Sequence, residues 1–352
     1  MTICPFEHPA LAGLFGDPEL AELLSFEAEL SAMLRFEAAL ARAEADLGLI
    51  PAASAAAIEA LCSTFRPDLA ALRAGTARDG VLVPELVRQL RAALGARHAD
   101  HVHRGATSQD LVDTALLLRM QRATAVIDAR LEKLVERLTD LGRLWGPRHL
   151  MGRTRMRRAR PITWAHKLDS WRAPLHRHRE RLAELAPRVF RLQLGGAVGD
   201  RADLGPAAAE IADRVADALG LARAERATHA ERDGIVELTS WLALVAGSLG
   251  KIGQDVAILA QDEVAQLHVE GGGTSSAMPH KVNPVGAEVL VASARFAGAL
   301  AGAMHQASVH ENERSGAAWT LEWLALPPLV LSTGAATLRA LDLLERLRLP
   351  EA

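Results

Sequence analysis

The sequence contains no tyrosine, and aromatic residues make up only 4% of its 352 positions. Strands draw on aromatic and β-branched residues, whereas the alanine and leucine that dominate here favour helix. There are two cysteines, Cys4 and Cys62, which excludes a disulfide framework and fits a reducing compartment. Charge of one sign is also missing in excess. The formal net charge is −3, so nothing pulls the whole chain toward nucleic acid or an acidic membrane. The opening MTICPFEHPALAGLF has no basic stretch ahead of a long apolar run, and no run of about 18 uncharged apolar residues follows. A cytoplasmic protein without signal peptide or membrane span is expected. The glycine-rich turn QLGGAVGD (193–200) does not match GxGxxG and follows no strand, which excludes a dinucleotide site.

What the chain has is apolar bulk, 49% of its residues, arranged at helical spacing. Residues 18–47 read as one helix ended by Gly48 and Pro51, and 54–62 and 84–94 as two more. Segment 66–84 reads as broken by Pro67, Gly75, Gly80 and Pro84, and 95–110 as a loop. Four ladders then step by three and four: Leu131, Leu134, Leu138, Leu141, Trp145; Leu168, Trp171, Leu175, His178, Leu182, Leu185, Val189; Leu238, Leu242, Val245, Leu249, Ile252, Val256, Leu259; and Leu290, Ser293, Ala297, Leu300, Met304. Such seams belong to long helices packed side by side at shallow angles, between subunits as well as within one. The expected fold is an all-α long-helix bundle. It divides into an N-terminal helical unit (1–98), a central bundle (99–340) and a short tail (341–352). The third ladder would continue through the polar Glu263 and Gln266, just before a glycine run.

Four stretches carry possible chemistry. GGGTSSAMPHKVNP (271–284) combines glycines, which permit unusual backbone and close approach to an anion, with Ser275 and Ser276, Lys281 and Asn283. Its bland alternative is an ordinary connection between helices. HRGATSQDLVDTALLLR (103–119) opens a helix, with Thr107 and Ser108 as caps and Asp110 complementing the dipole; a helix start also binds carboxylates. His98, His101 and His103 match no usual zinc spacing and no cysteine joins them, so no metal is expected. PRHLMGRTRMRRARPITWAHK (147–167) holds six arginines, read either as a solvated or RNA-binding face or as a buried anion pocket. HENERSGAAWTLEW (310–323) sets Glu311, Glu313 and Arg314 beside two tryptophans, or is simply a helix end with a local ion pair.

Together these stretches resemble the fumarase/aspartase superfamily. GTSSAMPHKVNP is similar to its signature loop GSSxMPxKxNP with Thr274 inserted, and HRGATSQDLVDTAL to the TSxD region. ENERSGAAWTLEW, THAERDGIVEL and LGGAVG resemble the branch of 3-carboxy-cis,cis-muconate cycloisomerases. The resemblance covers residues 5–340. It implies a homotetramer with sites shared between subunits, a small tricarboxylate substrate, no cofactor or metal, and no nucleic-acid or membrane partner. Ser275 is the implied proton donor, with His103 as the alternative, and Lys281 the implied stabiliser of the dianionic intermediate. Thr107, Ser108, Gln109, Asn283, Arg314, Arg153 and Gln193 are the implied substrate contacts, with Ser276 in support.

The sequence departs from that pattern in two ways. Many lyases of the superfamily carry GRTH; here the segment is GRTR, with Arg155 at the histidine position. Glu288 falls where that histidine's carboxylate partner stands, so an Arg155–Glu288 ion pair is expected. Members of the superfamily commonly continue into a third helical domain, which here would be short or absent. Two other readings remain: a lyase releasing fumarate from adenylosuccinate or argininosuccinate, and a non-catalytic helical oligomer.

Overall fold

Ser25 divides the apparent single helix over 18–47. Its backbone is extended and its hydroxyl accepts the Ala28 N–H at 3.1 Å, so it caps a fresh helix. The computed structural model, which describes residues 4–278 and 280–351, therefore begins with α1 (Ala12–Phe15), α2 (Pro18–Leu23) and α3 (Phe26–Asp46). Met1–Ile3 at the expected leaderless start, Pro279 in the signature loop and Ala352 lie outside the described residues. Next come α4 (Ala52–Thr64), α5 (Leu69–Asp79) and α6 (Val83–Leu94). α5 runs through Gly75, which composition reads as a breaker. The glycine serves packing instead, since a Cβ there would lie 2.6 Å from Glu85 Cβ.

The core is built on α7 (Ser108–Trp145), α8 (Trp164–Val189), α10 (Asp233–Leu259), α11 (Val285–Ala307) and α12 (Ala317–Arg346), with a shorter α9 (Ala208–Leu219) beside α3. α10 packs on α8, α11 and α12, and α7 on α3, α8 and α12. The ladders face inward as expected: the α7 and α10 sets are wholly buried, and in the other two only Leu182 and Leu300 are half-buried. His178, the polar rung of α8, is tied to Ser248 Oγ at 2.8 Å. Burial, with Arg181 and Arg177 near, pushes its pKa down to about 4, so the ring stays neutral inside the core. The all-α bundle is thus the observed architecture.

Short strands form where no pattern marked them, and one ladder ends early. The arginine-rich 147–167 segment forms a hairpin, β1 (His149–Thr154) against β2 (Arg157–Thr163). Arg155 and Met156 turn it at φ 48° and 66°, and Pro161 makes a helix there untenable. α10 ends at Leu259, so Glu263 and Gln266 leave the seam. The chain reverses there, with the Gln266 and Leu267 N–H groups both donating to Leu259 O, at 2.9 and 3.2 Å. Two short antiparallel pairs follow, β3 (His268–Val269) with β6 (Leu347–Arg348) and β4 (Gly273–Thr274) with β5 (Val282–Asn283).

By length and composition alone, α10, α11 and α12 could each cross a membrane, contrary to the expectation of no such segment. Of their apolar windows, 50% of α10 and 61% of α12 are buried within the bundle, whereas only 33% of that of α11 is covered, leaving Phe296 exposed.

Candidate active site

Five segments meet at the end of the bundle where α7, α10 and α12 begin. Thr107 caps α7, and its N–H donates to Asp110 Oδ2 at 2.9 Å. Asp110 also accepts the Gly195 and Gly196 N–H groups at 2.7 and 2.9 Å, and its Oδ1 lies 2.7 Å from His229 Nε2. Asp110 is therefore more than a dipole partner: it ties the 193–200 turn and the 228–232 segment to the helix start. The turn must be glycine, because a Cβ on Gly195 would sit 2.7 Å from Ala227 Cβ and 2.8 Å from Gly199 Cα. Arg314 closes the corner, donating to Thr107 Oγ1 at 2.7 Å, to Gly196 O at 3.2 Å and to Ala197 O.

Beneath it lies a buried charge cluster. Arg232 stands between Asp113 and Glu322, with closest approaches of 2.6 Å to each. Trp319 Nε1 donates to Asp113 at 3.0 Å, and Gln109 Nε2 donates to Asp113 at 3.1 Å and to His229 O at 2.8 Å. Burial raises the pKa of Glu322, only partly opposed by Arg232. Burial also disfavours charge on Arg232, but the two carboxylates outweigh it and hold the guanidinium protonated. His310, buried beside Glu322, has its pKa lowered by burial and by Arg232.

The second cluster sits at the opposite end of α10. An open cleft of about 840 Å³ is lined by Lys281, Asn283, His280, His268 and Glu288. Ser275 Oγ accepts the Ala277 and Met278 N–H groups at 3.3 and 3.0 Å, and Lys281 N donates to Met278 O at 3.0 Å. The loop is thus a folded turn. Its glycines allow tight pairing, since a Cβ on Gly272 would meet Val282 Cγ1 at 2.6 Å and one on Gly273 would meet Val285 Cγ2 at 2.5 Å. Lys281 is exposed and, among the described residues, has no ion-pair partner.

With this geometry in view, the relatives are informative. A family model described as lyase matches residues 17–297. The chain belongs to the fumarase/aspartase superfamily of lyases. It is 43% identical over 331 residues to a 3-carboxy-cis,cis-muconate cycloisomerase of Pseudomonas aeruginosa, covering 92% of this chain and 72% of the relative. It is 37% identical to a nitrosuccinate lyase of Streptomyces davaonensis, covering 91% of this chain and 70% of that one. The solved structure of a 3-carboxy-cis,cis-muconate lactonizing enzyme from Pseudomonas putida superimposes with a TM-score of 0.90 at 40% identity, over 96% of this chain and 76% of that one.

Within this lyase architecture the expected site residues fall into two groups. Thr107, Ser108, Gln109, Gln193, Arg314 and His103 gather at the corner. Ser275, Ser276, Lys281, Asn283, Arg153, Arg155 and Glu288 belong to the segments at the other end. The 27 residues of α10 separate the groups by about 40 Å at 1.5 Å per residue, so one chain does not bring them together.

Two of the corner residues are committed elsewhere. Gln109 is fully buried and turned toward Asp113, and Gln193 Oε1 accepts the Thr228 N–H and hydroxyl at 2.8 and 3.2 Å. Arg153 donates to Gln266 Oε1 at 2.6 Å. The expected Arg155–Glu288 ion pair is absent among the described residues: Arg155 turns the tip of an exposed hairpin, while Glu288 lies in the first turn of α11, at its positive end, and lines the cleft. Sequence reading missed Asp113, His229, Arg232 and Glu322. THAERDG contains two of them, but only the fold reveals that the arginine meets two carboxylates.

Proposed function

We propose that this chain is a cycloisomerase that lactonises 3-carboxy-cis,cis-muconate, an intramolecular lyase reaction in protocatechuate breakdown. The observation that carries the reading is that four curated relatives of that name match it at 36–43% identity over 92–96% of the chain. The presence of Ser275, Lys281, Asn283, Thr107 and Arg314 supports it.

A substrate carboxylate oxygen bonds to an alkene carbon, and the displaced π pair leaves a carbanion beside another carboxylate. Lys281, Asn283 and the loop N–H groups are the proposed donors to that dianion; one preorganised donor of this kind contributes about 3–4 kcal/mol. Thr107, Ser108 and the first turn of α7 hold a second carboxylate, and Arg314 orders that corner. Ser275 or His103 returns the proton to carbon, so each lactone consumes one proton. The nucleophile is the substrate's own, and the scheme calls for no cofactor.

Because the two groups face apart within one chain, the proposed site is completed between copies. The uncovered apolar face of α11 supports a homotetramer in which the loop of one copy reaches the Thr107 corner of another. The division into 1–98, 99–340 and 341–352, the cytoplasmic location and the absence of nucleic-acid or membrane partners remain part of this proposal. Purified protein should bleach the diene absorbance of 3-carboxymuconate, with chelator present, and release no fumarate from adenylosuccinate. Ser275→Ala separates the two donors: turnover lost with helicity kept assigns the proton to Ser275, and an active variant removes Ser275 from the scheme and leaves His103.

A further inference from the structure

His103 is the proton donor whose surroundings this chain completes by itself. Glu37, on α3, is 1% exposed, and both its oxygens engage His103: Oε2 accepts the backbone N–H at 3.0 Å and Oε1 faces Nδ1 at 2.6 Å. The two contacts hold His103 at φ 58°, a left-handed conformation that few non-glycine residues adopt. The preceding residue is fastened too, since Arg91 Nη2 donates to Val102 O at 3.0 Å. An ionised carboxylate only accepts, so Nδ1 carries the hydrogen and Nε2 is the working nitrogen. Nε2 has no hydrogen-bond partner among the described residues, and the side chain keeps an 11% opening four positions ahead of Thr107.

We propose that Glu37 is a positioning residue that holds His103 as an imidazolium, so that Nε2–H is delivered to the carbon made carbanionic by lactone closure. This rests on the cycloisomerase reading. In the step the carboxylate O–C bond forms, the π pair moves to the adjacent carbon, the N–H bond breaks and the C–H bond forms. The neutral ring then regains its proton from water.

The charged groups around the ring are Glu37 from α3, Asp110 from α7 and Arg91 from α6, with the Arg104–Glu44 pair alongside. Burial disfavours the charged ring and Arg91 opposes it, but Glu37 and Asp110 outweigh them and the pKa is raised. Donation needs the imidazolium, so lactonisation falls as pH rises through that value.

The test is the kcat–pH profile of lactonisation. Glu37→Gln keeps the shape and removes the charge. Its descending limb should move to lower pH by about one unit, roughly a tenfold loss on the limb, with kcat little changed below it. Glu37→Asp should restore the limb toward the wild-type position. A loss uniform across pH, or a shift confined to KM, overturns the proposal. If Glu37→Gln does not fold, His103→Gln decides: kcat should fall across the whole pH range and the residual rate should carry no descending limb, and a limb that persists overturns the proposal. A wild-type protein without turnover defeats the cycloisomerase reading itself, whereas turnover with an unmoved limb defeats only the role of Glu37.

Discussion

The two ends of α10 are built on opposite principles. At the Thr107 corner almost every polar group is committed: Asp110 receives three N–H groups and His229, Arg232 bridges two carboxylates, and Arg314 clamps Thr107 to the 196–197 carbonyls. At the loop end Lys281 lines an open cleft, and among the described residues Ser275 Oγ bonds only within its own turn. A preorganised anion corner costs nothing to arrange at the moment of reaction. A free lysine on a loop can move to its target and exclude water as it arrives. The difference fits the proposed shared site, in which one wall is fixed and the other comes from a neighbouring copy.

The sharpest way to break this comparison is to remove the keystone of the rigid end. Arg232→Ala leaves Asp113 and Glu322 facing each other without a cation in a buried site. Loss of one partner from such a group costs about 3–5 kcal/mol, so denaturant unfolding should show a drop of that size. A drop below about 1 kcal/mol would mean the corner is not held by this cluster.

The opposite end should respond in the opposite way. Lys281→Ala should lower turnover by about 10²–10³ with an unchanged melting temperature, because among the described residues that ammonium has no ion-pair partner. Combined with the proposed assembly, the contrast can be sharpened further. Lys281→Ala and Arg314→Ala proteins, each nearly inactive, should recover part of the wild-type rate when unfolded together and reassembled, since some mixed sites then carry both intact walls. Recovery no greater than the sum of the two parents would place both residues in a site within one chain.

The same contrast explains what could be read from the residues. The ladders announced the long helices because burial along a seam imposes its spacing on each chain segment separately. The loop was legible because its chemistry is written in consecutive residues, from Ser275 to Asn283. The corner was only half legible. Thr107 and Asp110 lie three apart on one helix, so the cap could be read, but Arg232 meets Asp113 across 119 positions. The hairpin at 149–163 was hidden for another reason. Arg155, Arg157, Arg158 and Arg160 are exposed, so no apolar alternation marks the strands, and the turn is made by Arg155 and Met156 rather than by glycine or asparagine. Gln109 and Gln193 were expected at the substrate because the family resemblance implies it. In the fold Gln109 donates to Asp113 and His229 O, and Gln193 accepts from Thr228.

The smallest expected effect concerns what carries the loop wall. In the last turns of α10, Asp255 accepts Trp171 Nε1 at 2.8 Å and is paired with Lys251 and with Lys167, the latter at 3.4 Å. This joins α8 to α10 beneath the loop. Burial alone would raise the Asp255 pKa, but the two lysines and the indole N–H outweigh it and the value is lowered. A carboxyl with a depressed folded-state pKa contributes stability above its unfolded value, near 3.9, and loses it as pH falls through the folded one. Asp255→Asn should therefore melt below wild type at neutral pH, with the gap closing as pH drops below about 4. The turnover loss should stay small beside that of Lys281→Ala. A gap independent of pH would show that the aspartate contributes through packing and its indole bond, and that the base of the loop end is held no differently from an ordinary helix seam.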